Sequence, residues 1–144
     1  MRTLRWSADE ARAATALPGL HRRLGTVAGV PAVVVEPDGA SLQAEATALA
    51  RLPVVSVATG RAALAGDAPW DIVTDDPEPV LAGILAAPLA AVTAAQVLRG
   101  APHRTLDAGL NVESRAYASL QAGPEFAAWL AGRGRRVRAA DPSP

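Results

Sequence analysis

Cysteine is absent from the sequence, which excludes a disulfide framework, a thiolate metal site and a thiol nucleophile. Lysine is absent too, so all fourteen basic residues are arginine, and fourteen acidic residues balance them to a net charge of zero. Charge scattered and balanced in this way lacks the basic footprint by which a protein holds nucleic acid. Only five residues are aromatic, Trp6, Trp70, Trp129, Tyr117 and Phe126, too few for a base-stacking platform. Two histidines, His21 and His103, leave little for a transition-metal centre. Long apolar runs are lacking as well. The alanine-rich stretch of residues 81–95 is broken by Pro88, short of the roughly 20 apolar residues a membrane span needs. At the N-terminus, Asp9, Glu10 and Arg12 stand where a signal peptide has its apolar core. These absences lead us to expect a soluble, cytoplasmic protein with no nucleic-acid or membrane partner.

What is present is apolar. Half of the 144 residues are hydrophobic, enough to bury a core as one domain and far from the composition of a disordered chain. Alanine makes up about a quarter of the chain, well above average usage; with the arginine-only basic set, this reflects a GC-rich coding genome rather than function.

Ser7-Ala8-Asp9-Glu10 is a capping box, opening a helix over residues 8–17 that Pro18-Gly19 stops; a further helical turn is expected over residues 20–24. The β-branched run of residues 32–36 has no polar face, as suits a strand buried on both sides of a parallel sheet. A helix over residues 41–51, a second buried strand over 54–58, a glycine loop from Gly60 to Gly66 and a third strand over 70–73 follow. That order implies right-handed crossovers. From Pro77 onward the pattern is helical: residues 77–87, a restart at Pro88 running to Gly100, a strong helix over 106–121, and a last short helix around Phe126, Trp129 and Leu130.

The expected fold is therefore α/β, with a small parallel sheet of two or three strands and then a helical C-terminal half. It forms one domain over residues 1–144, divided into an α/β part (1–76), a helical part (77–132) and a frayed basic tail (133–144). The apolar faces of the last helices exceed what so small a sheet covers, which predicts self-association.

Two stretches carry a resemblance. One is the segment Leu52-Pro53-Val54-Val55-Ser56-Val57-Ala58-Thr59-Gly60, preceded by a helix and followed by the loop to Gly66. The other runs from Leu106-Asp107-Ala108-Gly109-Leu110 through Ala116-Tyr117 to Gly123-Pro124-Glu125-Phe126. In this order they resemble the crotonase (enoyl-CoA hydratase/isomerase) superfamily, over about half the chain. The resemblance implies a crotonase-like fragment that binds an acyl-CoA thioester, with at most weak hydratase or isomerase activity. Coenzyme A enters as part of the substrate, and no separate cofactor is implied. In that family, two backbone amides polarise the thioester carbonyl, and fixed donors in a dry site stabilise the enolate oxygen. Gly66 falls where the second of these amides is donated.

The sequence also departs from the family pattern. The carboxylate expected two residues beyond Gly66 falls on Ala68, with Asp67 one position off, and no small-residue loop follows the first buried strand. The stretch that supplies the second carboxylate is missing, in keeping with members roughly twice this length. The alternative is a non-catalytic partner or oligomerisation module that kept the helices and lost the chemistry. Its partner would be a second copy or a crotonase-like protein.

Other candidates read more simply as structure. Asp67, Asp71, Asp75 and Asp76 lack the alternating ligand spacing of a calcium loop. Glu113, one turn before Tyr117, is expected to pair with Arg115 or Arg133 rather than act as an acid. Ser56 lacks the glycines of a nucleophile elbow, and the loop lacks the Gly-Lys-Ser/Thr end of a phosphate-binding loop. Arg133, Arg135, Arg136 and Arg138 are suited to the phosphates of CoA, but a basic tail is ordinarily only solvated. His21 and His103 are expected at the surface.

Overall fold

The computed structural model describes residues 1–37, 42–60 and 68–133. Its centre is a four-stranded, all-parallel sheet of β1 (Thr3–Ser7), β2 (Ala32–Glu36), β3 (Val55–Thr59) and β4 (Ile72–Thr74), ordered β1-β2-β3-β4. Register runs Leu4 opposite Val33, Val33 opposite Ser56, and Val57 opposite Ile72. The α/β class and the parallel pairing agree with the sequence; the sheet is one strand larger than expected. The added strand is β1, an edge strand whose Leu4 and Trp6 turn inward while Arg5 and Ser7 stay exposed.

Six α-helices, α1 (Ala8–Ala16), α2 (Gln43–Ala50), α3 (Glu78–Ala86), α4 (Pro88–Gly100), α5 (Leu106–Gln121) and α6 (Pro124–Gly132), and two short 3-10 turns, Leu20–Arg22 and Ala101–His103, complete the described fold. The capping box forms as read. The Glu10 amide donates to Ser7 Oγ at 3.3 Å, and the Ser7 amide donates to Glu10 Oε2 at 2.8 Å. Strand alternation then sorts the core into two layers. On one face, Val33 and Val35 pack with Val54 and with Ala8, Ala11, Leu42 and Leu49 of the α1–α2 side. On the other, Ala32, Val34, Val55 and Val57 pack against Leu81 and Ile84 of α3 and Val92 and Ala95 of α4. Coverage on both faces explains why β2 carries no polar residue before its last position.

Packing thins beyond α4. Neither α5 nor α6 contains a buried residue. Among the described residues no single helix is long and apolar enough to cross a membrane; α3 and α4 pass such a test only together, bent by 108° at their junction.

Candidate functional site

Three places concentrate chemistry or shape. The first lies at the amino end of β3 and β4. Arg99, in the last turn of α4, spends all five of its N–H donors there. Nε and one terminal nitrogen reach Asp71 Oδ1 and Oδ2 at 2.6 and 2.5 Å, and the remaining bonds go to the carbonyls of Ala50, Leu52 and Val54 at 2.6–2.9 Å. The Asp71 carboxylate also accepts from the Ser56 amide and hydroxyl at 2.7 and 2.8 Å, and the Asp71 amide donates back to Ser56 Oγ at 3.2 Å. Side-chain exposure is 16% for Arg99 and 8% for Asp71. A network so fully satisfied fastens α4, the end of α2 and both strands; it has no donor left for a ligand. It also sits at the edge opposite the one where parallel sheets bind ligands.

This network settles two residues that the sequence left as candidates. Ser56 is a wholly buried brace, and Asp71 is committed to Arg99. Asp76 accepts from the Glu78 amide at 3.2 Å just ahead of α3, a local turn of the kind aspartate favours. Asp67 lies outside the described residues. Among the described residues no group of three or more His, Asp or Glu is placed to hold a metal ion.

The second place is the carboxyl edge of the sheet. A shallow cleft of about 200 Å³ is lined by Arg5, Trp6, Ser7, Glu10, Val34, Glu36 and Thr59. Ser7 and Glu10 are already engaged in the capping box, and Arg5 pairs with Glu78 across solvent-exposed side chains. The described strands follow one another without a reversal of order, so the sheet lacks the switch-point crevice of a doubly wound fold. Beside this edge β3 is followed by Gly60, whose φ of 87° is left-handed, a conformation that favours glycine. Gly66, the oxyanion-hole candidate, lies outside the described residues, as do Arg135, Arg136 and Arg138. Arg133 is described, and its guanidinium stacks on the Trp129 ring at 4.4 Å. His21 and His103 are exposed, as expected.

The third place is the helical half. A groove of about 520 Å³ between α4 and α5 is lined by Ala94, Val97 and Leu98 on one side and Leu110, Tyr117 and Leu120 on the other, with Glu113 and Ser114 between. Glu113 pairs with neither Arg115 nor Arg133 among the described residues, contrary to expectation. A second apolar hollow of about 280 Å³ shares Tyr117 and Leu120 and extends to Phe126 and Trp129 of α6, whose rings stack 5.6 Å apart. The junction is pinned by Glu125, which accepts from the Leu89 and Ala90 amides at 2.7 and 3.0 Å. The free amides at the start of α4 thus find a carboxylate from α6. The sequence does show the α5 stripe of Leu106, Leu110, Tyr117 and Leu120. It does not show that α4 and α6 lengthen this stripe into a continuous surface.

No protein-family model, curated protein or solved structure matches this chain.

Proposed function

We propose that this chain is a crotonase-like protein acting as a non-catalytic assembly module, in which the α/β layer is scaffold and the α4–α5–α6 face takes up another protein chain. The observation that carries this reading is α5. It is an amphipathic helix of 16 residues without one buried side chain. Helices of this kind owe most of their stability to packing an apolar face, and among the described residues that face is not buried. The polar side of the reading is the engagement of Ser56, Asp71 and Arg99 with one another, which leaves no acid–base pair among them for turnover. A photo-crosslinking residue at position 117 tests the proposal in cells that produce the chain. The expected result is an adduct with a protein chain, absent when the same probe replaces Ala44 on α2. No adduct at position 117 would refute the reading.

A second reading, binding of an acyl-CoA thioester through the Gly66 amide, draws on one feature. Gly60 makes a left-handed turn at the carboxyl end of a buried parallel strand, the place where the family resemblance puts the carbonyl-polarising loop. Crotonyl-CoA at 100 times its Kd would then stabilise the chain by about 2.7 kcal/mol, readable as a thermal shift, and Gly66→Pro would remove it by deleting the amide. Direct assay of crotonyl-CoA hydration separates binding from turnover.

A further inference from the structure

We infer that the chain seated on the α4–α5–α6 face is a second copy of this protein, with two α4–α5 pairs closing a four-helix bundle about a two-fold axis. The inference rests on the assembly-module reading and names its partner.

Self-complementarity is the first ground. Laid antiparallel on itself, α5 sets Leu110 against Tyr117 of the second copy and Tyr117 against Leu110 of the second copy. The same register brings Glu113 beside Ser114 of the second copy, and the reverse, next to the axis. Glu113 is the one charged residue lining the α4–α5 groove. The symmetric pairing gives its carboxylate a hydroxyl donor, whereas an apolar occupant would leave it buried without a partner. An isologous contact requires this kind of patch, in which each half is the complement of the other.

Area is the second ground. Leu98, Leu106, Leu110, Tyr117 and Trp129 are 67, 78, 55, 63 and 51% exposed, and they line adjoining hollows. At about 100 Å² each they present about 500 Å², near the upper range for the largest patch on a monomer. Exposed Ala94 and half-buried Val97 and Leu120 lie between them, so the patch forms the apolar centre of the roughly 800 Å² that each partner gives to a stable interface, with a polar rim making up the rest. Charge is the third ground. The chain carries no net charge, so two copies meet without overall repulsion, and the face shows no charge excess that would select an acidic or basic partner.

The absence of cysteine makes a clean test, because one introduced thiol is the only thiol. Ser114→Cys, next to the axis, is expected to form an intermolecular disulfide under mild oxidation, while Ala44→Cys, at an exposed position of α2, is not. Light scattering after size exclusion at about 50 µM, well above a micromolar Kd, is expected to give twice the mass of the chain. Leu110→Asp and Tyr117→Asp are each expected to give the single mass with the same far-UV circular dichroism as the parent. A single mass for the parent chain overturns the inference. So does a double mass that survives both substitutions, or one that crosslinks through position 44 rather than 114. A monomer whose photo-adduct at position 117 differs in mass from twice the chain overturns the second copy but leaves the module reading standing; no adduct removes both. Co-sedimentation of a monomer with anionic phospholipid vesicles, lost in Tyr117→Asp, would assign the face to lipid and overturn the inference.

Discussion

Replacing Arg99 with methionine tests how much of the fold depends on one polar brace. Methionine keeps much of the aliphatic stem and removes all five donors. The Asp71 carboxylate then keeps only its bonds from Ser56, and the carbonyls of Ala50, Leu52 and Val54 lose their shared partner. Because the pair is largely shielded from water, screening relieves little of this loss. Breaking a buried ion pair from one side costs about 3–5 kcal/mol, a large part of the roughly 5–15 kcal/mol that holds a domain together. At about 3 °C per kcal/mol for a chain of this length, the unfolding midpoint is expected to fall by about 10–15 °C. Urea titration followed by circular dichroism gives the free energy directly. The companion variant Asp71→Asn, alone and combined with Arg99→Met, completes a cycle. The double variant no longer holds an uncompensated carboxylate, so its loss is expected to be about 1–3 kcal/mol smaller than the sum of the singles. A loss below about 1 kcal/mol for Arg99→Met, or strict additivity in the cycle, would refute the brace.

Three further outcomes follow from the same packing. Glu125→Gln keeps the shape but removes the charge facing the start of α4, and a loss of about 1 kcal/mol is expected, with faster hydrogen exchange at the Leu89 and Ala90 amides; unchanged exchange there would mean α6 is not fixed by Glu125. Leu49→Ala, in a fully buried position, is expected to cost about 2–5 kcal/mol, whereas Leu106→Ala is expected to stay within about 0.5 kcal/mol in the monomer; equal losses in urea titration would contradict the division between core and outer face. Gly60→Ala meets open space but a positive φ, so a backbone cost of about 1–2 kcal/mol is expected, and a neutral result would place that turn outside the left-handed region.

Local rules made much of this fold legible. The uninterrupted β-branched run gave β2 its bounds, and Pro88 with Gly100 bracketed α4 as the structure has it. The Thr105 hydroxyl, accepting from the Ala108 amide, marks the start of α5. β1 was not legible, because two inward residues in five, flanked by arginine, make too short an alternation to separate from a charged terminus. The Arg99 brace was hidden for a different reason. Its members stand at positions 56, 71 and 99, each unremarkable in its own window, and only the folding of α4 across the amino ends of β3 and β4 unites them. Glu125 illustrates the same limit: nothing in its own window points to Leu89 and Ala90, 36 and 35 positions earlier, whose amides it accepts from.

The polar and apolar accounts of the molecule close differently, and the contrast bears on function. Among the described residues no buried side-chain nitrogen or oxygen lacks a hydrogen-bond partner, so the interior needs nothing from outside to satisfy its polar groups. The apolar account stays open most extensively on the helical half: scattered side chains such as Leu17 and Val27 are also exposed, but Leu98, Leu106, Leu110, Tyr117 and Trp129 meet water along adjoining hollows. A catalytic site characteristically holds reactive polar groups unspent until substrate arrives, whereas an assembly surface holds apolar area unspent until a partner arrives. Among the described residues the α4–α5–α6 face holds exposed apolar area of that kind, and in the proposed assembly the stack of Phe126 and Trp129, on the helix that Glu125 ties to α4, would serve as its anchor. Under the proposed assembly reading, the α/β layer, braced at one edge by Arg99, presents α4 at a constant angle. Loosening that brace is therefore expected to weaken association along with stability, even though Arg99 itself lies away from the helical face.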